Sequence, residues 1–142
     1  MENLTGLNRF LEAQKHNYED AFREIKSGRK SSHWMWFIFP QIAGLGYSEI
    51  AKLYAIKNLE EAENYLAHPI LGPRLLEITR LLTHHSHKTA HEIFGNPDDL
   101  KLKSSMTLFN AVYPTDTVFQ QVLDQYFNGL EDQRTLSLIN KV

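Results

Sequence analysis

The sequence contains no cysteine among its 142 residues. Disulfide bonds and thiolate metal ligands are therefore excluded, and the fold has to be held by buried apolar side chains and hydrogen bonds. The chain begins Met-Glu-Asn, without the basic segment and following apolar segment that a secretory signal has. These two absences predict a cytoplasmic protein.

Long apolar runs and an excess of one charge are also missing. The longest apolar run, 34–39, is far shorter than the about 20 residues that span a bilayer, so we expect no membrane segment. The net charge is −2, and basic and acidic residues are interspersed, which argues against nucleic-acid binding by bulk charge. Apolar residues (42%) and charged residues (23%) occur at ordinary globular frequencies, so we expect a folded protein.

Most of the chain shows the spacing of amphipathic helices. Leu71, Leu75, Ile78 and Leu82 form one apolar stripe, and Gly28 is a typical helix stop. Further helix starts are indicated by Ser48, Asn58, Pro69, residues 96–99, Thr115 or Asp116, and Asp132. We predict an all-α fold, a single compact orthogonal bundle of about seven or eight short helices that occupies residues 1–142 as one domain.

The aromatic run 34–39 is the one ambiguous element, because its length suits a buried strand as well as a buried helix. No other segment has the period-2 pattern of a partner strand. A lone buried strand would leave its backbone donors and acceptors unpaired. We therefore predict that this run is at least partly helical and mostly buried.

The segment 28–41 concentrates groups that suit an anionic, aromatic ligand. Cations, hydroxyls and a histidine directly precede the aromatic run, so phosphate-binding donors lie beside a surface on which a flat ring can stack. Its candidate ligand-binding residues are Arg29, Lys30, Ser32, Trp34, Trp36 and Gln41. For Trp34 and Trp36 the role of core anchor is favoured over that of pocket wall, and the two roles are compatible because alternate side chains point apart. His33 is the candidate general acid or base.

A second candidate segment follows residues 96–99. Its apolar stripe is Leu102, Met106, Phe109 and Tyr113, and its polar stripe is Lys103, Thr107 and Asn110. A solvated helix face explains the polar stripe without any ligand. The functional alternative adds Lys103, Ser105 and Thr107 to the ligand-binding set, with Arg29, Lys30, His33 and Lys103 converging on one pocket.

Two other patterns are weaker. Residues 44–48 could hold an anion at a helix start, but the third glycine of a dinucleotide fingerprint is Glu49 here, so a structural turn is favoured. His84, His85, His87 and His91 have spacings that metal ligands use, although a polar connection between helices is the simpler interpretation. We predict no metal site and no cofactor.

The chain resembles a bacterial family called domain of unknown function 1810, some of whose members are labelled calpastatin. The resemblance runs nearly end to end and rests on Arg9, Phe10, Ala13 and Gln14, residues 28–30, 32–37, 39–41 and 44–46, His68, Pro69, Leu71, Gly72, Arg74 and Leu75, residues 101–109, and Asp132, Thr135 and Leu136. It implies an all-α fold and no established activity. The calpastatin label does not fit, because such an inhibitor is disordered and repetitive whereas this chain is rich in aromatic residues.

Two functions are compatible with these residues. The first is a pocket for a small anionic ligand, nucleotide-like or ADP-ribose-like; were it an enzyme, hydrolysis or transfer at a glycosidic or phosphoryl centre would suit His33 as acid or base and Arg29, Lys30 and Lys103 as charge stabilisers. The alternative is a protein–protein interaction module with an exposed aromatic patch of Trp34, Trp36 and Tyr47. Neither pattern indicates an oligomeric state.

Overall fold

The computed structural model describes residues 6–112 and 118–140, and these residues form ten helices. The helices are α1 (Asn8–Lys15), α2 (Tyr18–Ser27), α3 (Met35–Ile38), α4 (Glu49–Leu53), α5 (Leu59–Ala67), α6 (Leu71–Leu82), α7 (Ala90–Phe94), α8 (Asp98–Val112), α9 (Val118–Phe127) and α10 (Gln133–Ile139). The described ranges contain no sheet, only an isolated parallel bridge between Ile42 and Ile56. The predicted all-α class is confirmed. The count exceeds our expectation because the N-terminal segment forms two helices and because α7 is too short to show helical periodicity.

The longest helix, α8, lies at the centre of the fold. It packs against α5, α7, α9 and α10. Leu102, Met106 and Phe109 are fully buried, as their stripe predicts, whereas Tyr113 lies outside the described residues. The solvated face expected for the polar stripe is wrong at Thr107, which is also fully buried, because neighbouring helices cover α8 on several sides.

The N-terminal segment forms two helices that separate at Asn17. The second of them, α2, ends at Gly28, whose φ of 88° lies in the left-handed region that glycine adopts without strain. The Nζ of Lys88 donates to the Gly28 carbonyl at 3.2 Å, and the Nε2 of His85 donates to the Ile25 carbonyl at 2.6 Å. The polar connection between α6 and α7 therefore caps the end of α2.

Three helix starts follow the capping pattern of the sequence. The side chains of Ser48, Asn58 and Asp132 each accept a hydrogen bond from a backbone N–H in the first turn of the following helix. Pro69 instead lies just before α6, whose stripe is buried as predicted. The start proposed at Thr115 or Asp116 lies outside the described residues.

The aromatic run is one turn of helix, α3, and is mostly buried, as expected. Trp36 is its half-buried member and faces a cleft. Within the part of the chain that the structure describes, no helix combines the length and the apolar character needed to cross a membrane.

Candidate functional site

A cleft of about 490 Å³ opens beside Trp36, and we call it the Trp36 cleft. This volume is within the range of small-molecule sites. Its walls come from three stretches of the chain that are distant in sequence. They are Trp36, Gln41, Leu45, Gly46, Tyr47, Ser48 and Ala51; Pro97, Leu100, Lys101, Lys103 and Ser104; and Asp132 and Arg134.

One side of the cleft is aromatic and apolar. The Nζ of Lys101 lies 4.7 Å from the centroid of the Trp36 ring and 3.4 Å from Asp98. The lysine thus covers the indole from one direction. The side chains of Tyr47 and Leu100 also line the cleft, and they are 76% and 55% exposed. The cleft thus offers aromatic surface that is exposed.

Two cations line the same cleft without an acidic partner. Among the described residues, neither Lys103 nor Arg134 forms an ion pair, and Arg134 makes one hydrogen bond, from Nη2 to the Gly44 carbonyl at 3.3 Å. Arg9, by contrast, forms an ion pair with Glu61 at 3.0 Å. The cleft therefore carries positive charge on a chain whose net charge is −2.

The polar end of the cleft is held together by the hydroxyl of Thr107. This hydroxyl donates to the Lys103 carbonyl at 2.8 Å and accepts from the Asp132 backbone N–H at 2.9 Å. The Oδ2 of Asp132 accepts from the backbone N–H of Thr135 at 2.9 Å and from its hydroxyl. A buried threonine thus connects α8 to the start of α10.

A family model described as "Protein of unknown function (DUF1810)" matches residues 4–139. The chain belongs to the DUF1810 family. A solved structure, that of the conserved hypothetical protein Rv1873 from Mycobacterium tuberculosis, shares 46% sequence identity and superposes with a TM-score of 0.95; the match covers 99% of this chain and 100% of that one. No curated protein matches significantly.

The Trp36 cleft in this DUF1810 chain includes three of the residues predicted to bind ligand, Trp36, Gln41 and Lys103. Arg29 and His33 are exposed and do not line it. Arg29, Lys30, His33 and Lys103 were expected to converge on one pocket, and of these four residues only Lys103 lines this cleft.

The other predicted residues have partners inside the protein or are enclosed. Lys30 forms an ion pair with Asp98 at 2.9 Å and lies 5.1 Å from the Trp34 ring centroid. Trp34 and Ser105 are fully buried, and the hydroxyl of Ser105 has no hydrogen-bond partner within the described structure. Thr107 is the buried connector described above. None of these side chains lines the cleft.

The carboxylate of Glu24, which the sequence analysis did not single out, explains the placement of Ser32 and Trp34. It is 5% exposed and accepts hydrogen bonds from the backbone N–H of Ser31 at 2.8 Å and of Ser32 at 3.0 Å, from the Ser32 hydroxyl, and from Trp34 Nε1 at 2.8 Å. The sequence signal was its position on the helix face shared by the buried residues Ala21 and Ile25. The loop before the aromatic run is polar because it wraps this carboxylate.

The pKa of Glu24 reflects this environment. Burial by itself raises the pKa of a carboxyl group, but the hydrogen bonds from Ser32, Ser31 and Trp34 outweigh it and lower the pKa to about 2. The ionised form is therefore the one that the fold stabilises.

A pH dependence follows from this lowered pKa. Because the folded pKa lies below the unfolded value, the stabilisation by Glu24 is fully present above about pH 5 and is lost as the pH falls toward about 2. The difference in unfolding free energy between the natural protein and Glu24→Gln should therefore shrink over this range in urea melts. A constant difference from pH 6 to pH 3 would contradict the assignment.

The histidines of this DUF1810 chain have separate surroundings. His85 caps α2, the Nδ1 of His91 lies 3.6 Å from Asp99, and His84 and His87 are exposed. The described residues contain no group of three or more histidine, aspartate or glutamate side chains that could hold a metal ion.

Proposed function

We propose that the Trp36 cleft binds a small anionic ligand that contains an aromatic ring, of the nucleotide or ADP-ribose kind. The observation that carries this proposal is the presence of two cations without acidic partners, Lys103 and Arg134, in the same cleft as Trp36. A phosphate or diphosphate group would supply the missing negative charge. Arginine binds such groups with two parallel hydrogen bonds, and lysine does so as a point charge.

The ring of the ligand would be held by the aromatic part of the cleft. Lys101 covers Trp36 from one direction, and the exposed Tyr47 lines the cleft with it. Stacking of a base on an aromatic side chain contributes about 1–3 kcal/mol, and all bases have a π face. The half-buried amide of Gln41 has no hydrogen-bond partner of its own within the described structure and is available to the edge of the ring.

The proposal is for binding and does not include a reaction. His33, the expected acid or base, lies outside the cleft. Ser104 lines the cleft, and its hydroxyl donates to the Leu100 carbonyl at 3.2 Å. The hydrolysis considered from the sequence relied on His33 as its acid or base, and this residue does not line the cleft.

The alternative function, a protein-interaction module, draws support from a single region. Tyr47 is exposed, and so are Ile50 and Leu53 of α4, a helix with no buried residue. Trp34, one of its three expected anchors, is fully buried, and Trp36 is in a concave site. A concave site rimmed by charge favours a small ligand over a flat protein surface.

Calorimetric titration separates the parts of the proposed ligand. We expect AMP, ADP or ADP-ribose to bind more tightly than adenosine, which lacks the anion, and than ribose 5-phosphate, which lacks the ring. Lys103→Ala and Arg134→Ala should each weaken the binding of the charged ligands by about tenfold or more, because each removes a charge-assisted hydrogen bond. Adenosine affinity should change little.

The matched controls are Arg29→Ala and His33→Ala, which remove predicted residues that do not line the cleft. Both should leave the affinities unchanged. If these controls weaken binding as much as Lys103→Ala does, or if none of the charged ligands binds, the proposal is wrong.

A further inference from the structure

We infer that Asp132 binds a sugar hydroxyl group of the ligand, so that the cleft selects a nucleotide with an intact ribose diol. This inference rests on the proposed function and adds a residue that determines specificity. It concerns the one carboxylate that lines the Trp36 cleft within the described structure.

Only one of the two carboxylate oxygens of Asp132 accepts hydrogen bonds within the described structure. Its Oδ2 accepts both hydrogen bonds from Thr135, one from the backbone N–H and one from the hydroxyl. Its Oδ1 has no hydrogen-bond partner in the described part of the chain. An ionised carboxylate has about four acceptor sites, so this oxygen can accept from hydroxyl donors in the cleft.

The charges around Asp132 indicate which ligand chemistry fits. Lys103 and Arg134 line the same cleft, yet neither is within ion-pair distance of Asp132 in the described structure. A ligand that is only an anion would gain from the two cations and be repelled by the carboxylate. A nucleotide places its phosphate and its ribose diol several bonds apart, so it can satisfy the cations and the carboxylate together.

The carboxylate is also rigidly placed. The backbone N–H of Asp132 donates to the hydroxyl of Thr107, which in turn donates to the Lys103 carbonyl. The backbones of Asp132 and Lys103 are thus connected through one buried hydroxyl, that of Thr107. An acceptor that is fixed before binding loses little freedom when a ligand arrives. Thr107 is here a positioning residue.

The test compares the 5′-monophosphates of adenosine, guanosine, cytidine and uridine with their 2′,3′-dideoxy counterparts by calorimetry. For each ribonucleotide that binds, the affinity of the natural protein should be about tenfold or more higher than for the dideoxy form. The dideoxy form lacks the hydroxyl groups that would donate to the Asp132 carboxylate. Asp132→Ser should reduce this ratio to about 1–2, since serine keeps the helix cap and lacks the free oxygen.

The control Glu131→Gln removes the same charge from the neighbouring residue, which does not line the cleft, and should keep the ratio of the natural protein. Equal affinity for the ribo and dideoxy forms in the natural protein overturns the inference and leaves the proposed function standing. A ratio unchanged in Asp132→Ser likewise overturns it. If none of the eight nucleotides binds, the proposed function fails and the inference fails with it.

Discussion

Glu24→Ala is expected to lower the free energy of unfolding by about 3–5 kcal/mol. The substitution leaves the indole N–H of Trp34 and the backbone N–H groups of Ser31 and Ser32 without their acceptor inside the protein. A buried donor without a partner costs about 1–3 kcal/mol, and Trp34 is fully buried. Urea denaturation followed by circular dichroism measures the loss.

Two variants test whether the carboxylate itself is responsible. Glu24→Gln keeps one acceptor oxygen and should cost less than Glu24→Ala. Glu12→Ala removes an exposed carboxylate from α1 and should change stability by no more than about 0.5 kcal/mol. If Glu24→Ala is no more destabilising than Glu12→Ala, Glu24 does not organise the loop as we describe.

Phe109→Ala should cost about 3–5 kcal/mol, and Met106→Ala about 2–5 kcal/mol, because both side chains are fully buried on α8. The Phe109 ring centroid lies 5.4 Å from that of Tyr65 and 6.0 Å from that of Phe119, so its removal leaves a cavity between α5, α8 and α9. Denaturant melts give both values.

Lys103→Ala is the matched comparison on the same helix. Its side chain is half-buried and faces the Trp36 cleft, so its truncation should cost less than about 1 kcal/mol while weakening ligand binding. A destabilisation by Lys103→Ala as large as that by Phe109→Ala would show that our assignment of the faces of α8 is wrong.

The fold class could be predicted because most helices carry local signals. The caps at Ser48, Asn58 and Asp132 and the apolar stripe of α6 were all readable from a few neighbouring residues. The environment of α8 could not be read in this way. Periodicity marks one buried stripe, but the burial of Thr107 depends on neighbouring helices that come from distant parts of the chain.

The candidate site could be predicted only in part, for a related reason. Trp36, Gln41 and Lys103 were identified from their segments, and they line the cleft. Arg134 was missed because nothing near it in the sequence indicates chemistry, and Asp132 was identified only as a helix cap. These two residues become candidates only when α10 is placed against α8.

The loop before the aromatic run shows why a polar segment is weak evidence for a ligand. Lys30 and Ser32 were expected to bind an external anion, yet the carboxylates they bind belong to the protein itself, Asp98 and Glu24. The residue types that bind a phosphate are the same ones that bind a carboxylate inside the protein. The sequence cannot separate them unless the position of the acid is known.

The most direct test of the proposed binding cleft uses the two tryptophans as paired reporters. In ¹⁵N-labelled protein titrated with AMP and with ADP-ribose, the indole N–H resonance of Trp36 should shift progressively, because its ring lines the cleft. The resonance of Trp34 should stay in place, because that indole is fully buried and its N–H donates a hydrogen bond to Glu24. A titration that moves Trp34 and leaves Trp36 unchanged, or that moves neither, would contradict a nucleotide site in the Trp36 cleft.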